Sequence, residues 1–386
     1  MREVASSKKG RPLHMKVYVG IDSHTTNYTL AAITKDSEKA FNVNTYSPVF
    51  TNILLYCKAL AKQYGDDTEI LVGYEAGCLG FKLKRDLKEN DVHCIVIAPT
   101  SMPDRTRKNK KKTDKRDAAA ISKCLAYGDY SEVYTPDDED EAVRDYIRMR
   151  EDHKKQLKSI KQQIGAFCTR HGKRFEDGKY WTKKHIKWLK DLAMSEDLRL
   201  VLDGYLQTYE ALTERLDFMD KHIEEIAETD KYRENVHKLI CFKGIKTLTA
   251  LALIVEICDF HRFAKAKNFA AFLGLVTGEL SSGDDVNHLG ITKQGNRFLR
   301  RLLTEAAQSF GRAVSGKSDA LKKRQAGNTE AVIAYADKGN ERLRKRFYAL
   351  VMRNKKPYNK AATAIARELA SFIWGMMTDN IHTVLA

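Results

Sequence analysis

With 386 residues, 43% of them hydrophobic, the chain has material for sizeable cores and exceeds one ordinary domain, which excludes wholesale disorder. Lys and Arg number 67 against 51 acidic residues, a formal charge of +16 that favours a nucleic-acid partner, although a basic surface alone would also fit a membrane face or simple solubility. No apolar run approaches the roughly 20 residues of a membrane span, and the seven cysteines contain no Cys-x-x-Cys pair or zinc-like spacing with histidine.

Residues 1–15 are polar and basic and read as a disordered tail. The runs at 16–22, 27–33 and 40–46 have the length and tight spacing of an antiparallel meander. A helical segment (49–64), a strand ending at Glu75, a helix (79–90), a strand (93–99) and a helix from Asp114 to Tyr127 follow. A meander followed by alternating strands and helices describes an α/β, RNase H-like (RuvC-like) domain over 16–134. Its first and fourth strands are expected to end side by side.

The acidic stretch TPDDEDEA (135–142) is expected to close this domain as a linker, with its acids solvated; Asp86 is expected to be a solvated surface acid as well. Residues 135–235 are almost entirely helical in pattern. HKKQLKSIKQQIGAF (153–167) and YLQTYEALTERLDFMDKHIEEIAE (205–228) carry apolar residues every three or four positions, which suits a helical hairpin or a coiled-coil dimerisation segment. Residues 236–386 are expected to form a mainly α-helical domain. It opens with HKLICFKGIKTLTALALIVEI (237–257), similar to a helix-hairpin-helix whose turn at Gly244, with Lys246, offers backbone N–H groups to a phosphate; an ordinary packed hairpin fits equally well. Only one proline, Pro357, lies beyond residue 136, so long helices are credible there.

Three groups of residues carry chemistry. Asp22 and Glu75 end two apolar strands, KVYVGID and EILVGYE, and Asp114 and Asp117 lie three residues apart on one helix. A buried strand that ends in a carboxylate calls for a positive partner. Four such acids can hold two Mg²⁺ ions about 3.5–4 Å apart around a phosphodiester, with Mn²⁺ as a substitute. A turn, a surface acid and helix capping would explain each acid singly, but less readily all four together. Just before the helix lies a basic run containing Arg105, Arg107, Lys108, Lys110, Lys111, Lys112, Lys115 and Arg116, which is expected to contact phosphate. The segment GELSSGDDVNHLGITKQGN (278–296) is poor helix material, so Ser281 and Ser282 can be exposed on a loop. Lys293, Arg297, Arg300 and Arg301 are near in sequence and can reach phosphates, and His288 is available, although no local His/Asp pair is spaced to activate a serine.

YVGIDSH, GYEAG, KTDKRDAAAI and LGLVTGELSSG…LGITKQGNRFLRRLL together resemble the DEDD-type insertion-sequence transposases, the insertion sequence one-ten family, to which the Piv invertase is related. The resemblance runs from about residue 16 past 310. It implies that Asp22, Glu75, Asp114 and Asp117 are metal ligands and that an essential serine lies in the SSG triplet, Ser281 before Ser282. It further implies Mg²⁺-dependent DNA strand exchange through a phosphoserine, guided by a structured bridge RNA that pairs with donor and target DNA. The assembly implied is a homodimer or a dimer of dimers, in a bacterial cytoplasm at the nucleoid. The competing readings are a RuvC-like Holliday-junction nuclease that hydrolyses with water and needs no serine, and a non-catalytic binding protein whose acids are structural. The basic segments KKRQ (322–325) and RLRKRF (342–347) lie where the resemblance is weakest and are candidate lineage-specific RNA or DNA contacts.

Overall fold

A computed structural model describes residues 15–65, 67–99, 113–282, 285–312 and 316–381, with side chains for all of these except 279–282 and 285–289. The chain divides into two compact units, 1–136 and 137–386.

In the first unit β1 (Lys16–Ser23), β2 (Tyr28–Ile33) and β3 (Phe41–Tyr46) form the antiparallel meander. Helix α1 (Phe50–Tyr64) leads to β4 (Glu69–Glu75), and α2 (Lys82–Glu89) leads to β5 (His93–Ile97). The sheet order is β3-β2-β1-β4-β5, with β4 parallel to both β1 and β5. Helix α3 (Asp114–Tyr127) completes the unit. The near-continuous apolar runs of β1 and β4 reflect burial on both faces. On one face Val17, Val19, Ile21, Val72 and Tyr74 pack against Ile53, Leu60, Leu83 and Leu87 of α1 and α2. On the other, Tyr18, Leu71 and Ile95 pack against Ile121 and Leu125 of α3.

Two glycines set the depth at which α3 lies. Gly20 pairs with Gly73 across β1 and β4. A Cβ on Gly20 would stand 2.2 Å from the Ala118 carbonyl oxygen and 2.4 Å from the Ser122 nitrogen, so the helix backbone rests directly on the strand. At Gly73 the nearest atoms are the Leu125 methyls, at 2.9 and 3.0 Å. Side chains alternate along a strand, so Asp22 and Glu75, two residues beyond these glycines, project from the same face.

The second unit begins where a linker is expected from composition, and here the structure corrects the reading. Asp137 is the N-cap of α4 (Asp138–Arg170), its side chain accepting from the Asp140 N–H at 2.7 Å. Asp140 is buried rather than solvated, accepting from the Tyr232 hydroxyl at 2.8 Å and pairing with Lys231 at 3.0 Å. The cluster is a helix start, where acids favour the positive end of the dipole. Asp86 is partly sheltered in its ion pair with Lys82.

Helix α5 (Lys183–Asp191) follows, and α6 (Glu196–Ala227) then packs along α4, tied by a two-pronged Arg150–Asp220 ion pair. Their outer ends share a small core with α5, built on Ile164, Phe167, Leu189, Leu202 and Leu206. Their other ends contribute Val143, Ile147, Ile223 and Ala227 to the large core of the C-terminal helices. Those helices are α7 (Arg233–Leu239), α8 (Thr247–Ile257), α9 (Ala266–Phe272), α10 (Arg297–Ala307), α11 (Asp319–Gln325), α12 (Glu330–Tyr348) and α13 (Tyr358–Met377). Between α9 and α10 stands a hairpin of β6 (Thr277–Ser282) and β7 (Asp285–Ile291). The serines therefore end a strand instead of lying on a loop.

The two glycine positions differ in what can yield. Gly20→Ala forces backbone apart and is expected to cost about 1–3 kcal/mol or more. Gly73→Ala meets two Leu125 methyls that can shift, with the Ile95 carbonyl oxygen at a less severe 3.2 Å, and is expected to cost less than Gly20→Ala. Urea unfolding midpoints of the two variants check this ordering; equal losses would contradict the packing described.

Candidate metal and nucleic-acid site

The C-terminal ends of β1 and β4 and the first turn of α3 carry the four acids. Asp22 lies one step beyond the Ile21–Tyr74 pair of the parallel ladder, which sets it beside Glu75 on the neighbouring strand, with about 4.8 Å between strands. Asp114 and Asp117 occupy the first turn of α3, where the helix dipole favours negative charge. The cap position belongs to Thr113, so Asp114 is not consumed as the N-cap.

The structure brings these residues together unevenly. One ligand atom each from Asp22, Asp114 and His24 falls within a common 4.8 Å. Asp117 is buried, only 5% exposed, and close enough to act electrostatically on Asp22. Glu75 is exposed and stands outside the tight group. His24 went unnoticed in the sequence, because a single histidine after a strand carries no pattern of its own.

Asp22 is the least comfortable member. Its Oδ2 is buried and accepts no hydrogen bond, and the nearest cationic candidate, His24 Nε2, lies 3.3 Å away. Burial pushes the Asp22 carboxyl above its ordinary value, the His24 imidazole works in the opposite sense, and the charges of Asp117 and Asp114 push it further up. A buried carboxylate oxygen without a donor, beside two further carboxylates, is the environment a divalent cation relieves. The donor set fits Mg²⁺ or Mn²⁺: hard carboxylate oxygens with space for water. Asp22 and Asp114 could hold such an ion, with His24 in the same group, Asp117 close by and Glu75 at the rim.

The expected phosphate contacts fall into three groups. Arg105, Arg107, Lys108, Lys110, Lys111 and Lys112 lie outside the described residues. Lys115, Arg116, Lys246, Lys293 and Arg297 are exposed. Arg300 and Arg301 already serve the fold: Arg300 donates to the Leu273 carbonyl at 2.8 Å, and Arg301 pairs with Glu151 and Glu305. The turn at Gly244 is packed instead of open. Its φ is +89°, and a Cβ there would lie 2.3 Å from the Ala306 carbonyl oxygen, so glycine is required for contact with α10. The Lys243 N–H is taken by Asn340 Oδ1 at 2.8 Å.

The serine hairpin is gripped at its base. Gly274 and Gly295 have φ of +65° and +89°, and Cβ atoms on them would each lie 2.0 Å from a carbonyl oxygen, of Gln294 and Phe272 respectively. Beside them Asn296 caps α10 and donates to the buried Glu256, which also receives two bonds from Arg148. Ser281 pairs with Val286 and Ser282 with Asp285 at the hairpin end. The side chains of Ser281, Ser282 and His288 lie outside the described residues.

In the C-terminal segment, Arg342 and Arg346 are paired with Glu368, and Arg324 donates to the Ile240 carbonyl. These cations are largely structural. Residues 352–360, which run from the turn after α12 into the first turn of α13, are all exposed, and among the described residues Arg353, Lys355, Lys356 and Lys360 have no ion-pair partner. No helix of the described residues is long and apolar enough to cross a membrane.

Comparison with known proteins identifies the family. Residues 19–171 match the DEDD transposase family of the IS110 type, and residues 236–321 match the family described as transposase IS116/IS110/IS902. The transposase for insertion sequence element IS1533 of Leptospira borgpetersenii is 34% identical over 353 residues, covering 88% of this chain and 98% of the relative. The transposase for insertion sequence element IS1111A of Coxiella burnetii is 24% identical, covering 73% of this chain and 71% of the relative. A Sinorhizobium fredii relative, y4qE, also named a transposase, is 31% identical over 80% of this chain and 76% of its own length. The chain belongs to the IS110 family of insertion-sequence transposases, enzymes that process DNA.

Proposed function

We propose that this transposase cuts and exchanges DNA strands with a Mg²⁺-dependent DEDD centre, of RNase H-like type, acting on the hydroxyl of Ser281. The observation that carries the reading is the convergence of Asp22, His24 and Asp114, with the charge of Asp117 nearby, at a buried Asp22 oxygen whose hydrogen-bond geometry is unsatisfied. A divalent ion bound there polarises the scissile phosphate and favours ionisation of the attacking hydroxyl. Asp22 and Asp114 would hold the ion, Asp117 would add negative charge nearby, and Glu75 would complete the set of four acids. The Ser281 oxygen attacks phosphorus, the bond to the 3′ oxygen breaks, and the serine proton ends on the released 3′-hydroxyl. A 3′-hydroxyl then attacks the phosphoserine of the exchanged strand and frees the serine, so the ester energy is retained throughout. Ser282 is the fallback nucleophile.

The rest of the reading comes from the resemblance. A guide RNA from the element supplies target choice, and a dimer or dimer of dimers joins the acids of one subunit to the serine of another. The α4–α6 pair is a candidate dimerisation element. The exposed cations Lys115, Arg116, Lys246, Lys293 and Arg297 and the corner at 353–360 are candidate phosphate contacts, and Gly244 is better assigned to packing.

With its carboxyl raised above 3.8 by burial, Asp22 binds protons more readily in the folded state than in the unfolded one. Metal-free stability should therefore fall as pH rises from that ordinary value through the raised one. Asp22→Asn should remove this fall and melt a few degrees higher than the wild type at neutral pH without metal. Mg²⁺ should raise the melting temperature of the wild type and leave that of Asp22→Asn nearly unchanged. A wild type indifferent to Mg²⁺ and Mn²⁺ would argue for purely structural acids.

Ser281→Ala should lower cleavage by at least about a thousandfold while nucleic-acid binding persists. Denaturing gels with labelled DNA detect the covalent adduct. If cleavage continues in both Ser281→Ala and Ser282→Ala, with protein-free ends, the hydrolytic nuclease replaces this reading.

Replacing Arg353, Lys355 and Lys356 together by alanine should weaken nucleic-acid binding and flatten its log–log salt dependence by roughly 2 to 3. An unchanged slope removes the corner from the interface.

A further inference from the structure

We infer that His24 is a direct ligand of the bound metal, which makes the centre a mixed nitrogen–oxygen site with a preference for Mn²⁺ over Mg²⁺. The inference rests on the metal-dependent reading above and deepens it.

The backbone holds His24 in place. Its N–H donates to the Asn27 carbonyl at 2.9 Å, closing the turn at the end of β1 one residue beyond the strand that carries Asp22. From there Nε2 reaches to 3.3 Å from Asp22 Oδ2 and 4.0 Å from Asp114 Oδ1. Ligand atoms around an ion at about 2.1 Å stand roughly 3 Å apart when adjacent and about 4.2 Å apart when opposite. The observed separations match that range, so little movement is needed to accommodate an ion.

As a hydrogen bond or an ion pair the contact is weak. At 3.3 Å the imidazole nitrogen is at most a weak donor to Asp22 Oδ2, whose hydrogen-bond geometry stays unsatisfied, and the same separation suits adjacent ligands of one ion. His24 is also half-exposed, its side chain 46% accessible, and an ion pair so open to water contributes little. A neutral imidazole nitrogen is a borderline donor. Beside carboxylates it shifts preference from Mg²⁺ toward first-row transition ions, of which Mn²⁺ keeps the octahedral oxygen-rich geometry the acids supply.

The test is pulsed electron paramagnetic resonance on the full chain loaded with one equivalent of Mn²⁺, with binding followed by titration. The wild type should show modulation from a directly coordinated ¹⁴N. His24→Ala should still bind Mn²⁺, with that modulation gone, affinity lower by about tenfold or more, and less preference for Mn²⁺ over Mg²⁺. Melting curves confirm that the variant is folded, which the exposure of His24 favours. Mn²⁺ bound to the wild type without nitrogen coupling, or coupling that survives in His24→Ala, overturns the inference and leaves the carboxylate centre standing. Failure of the wild type to bind Mn²⁺ overturns both.

Discussion

At Gly20, backbone meets backbone: a strand with no side chain at that point lets α3 settle until the Ala118 carbonyl and the Ser122 amide occupy the space a Cβ would need. Everything at the acidic centre depends on that approach. The strand delivers Asp22 two residues beyond the contact, and the helix delivers Asp117 immediately before Ala118 and Asp114 about one turn before it. A helix held farther off by an ordinary side chain would separate the two sources of negative charge. The closeness that assembles the site also destabilises it, since one Asp22 oxygen, Oδ2, is buried with its hydrogen-bond geometry unsatisfied. The cost is local, and the apolar layers on both faces of the sheet hold the geometry against it.

The second unit uses the same device for a different purpose. Gly274 and Gly295 let the two ends of the serine hairpin cross so closely that carbonyl oxygens fill their Cβ positions. The Asn296 cap and the buried Glu256 tie that crossing to α8 and, through Arg148, to α4. The hairpin end bearing Ser281 and Ser282 thus projects from a rigid base. On the proposed reading, such a base would present the serine hydroxyl to a phosphate.

The acids were legible in the sequence because apolar strands rarely end in carboxylates, and the parallel pairing of β1 with β4 sets those ends side by side. The glycines of VGID and VGYE carried a further signal: glycine two residues before each acid marks where a helix must approach closely. His24 left no such signal, since its role depends on a turn that brings it back toward Asp22. The hairpin was hidden because GELSSGDDVNHLG lacks the apolar alternation that marks a strand. The stretch at 135–142 was misread because acidic composition resembles a solvated linker, although an aspartate followed by further acids is equally the mark of a helix start. Arg300 and Arg301 show the limit of charge as a guide: half-buried cations can serve carbonyls and carboxylates of their own fold as readily as phosphates.

The central claim is that the buried Asp22 carboxylate exists to hold a metal. Anomalous diffraction from a crystal of the full chain soaked in Mn²⁺ tests it most directly. The account predicts a single strong peak bonded to Asp22 and Asp114 at roughly 2.1–2.3 Å. An intact site with no peak there, under conditions that saturate Mn²⁺ binding in solution, would contradict it.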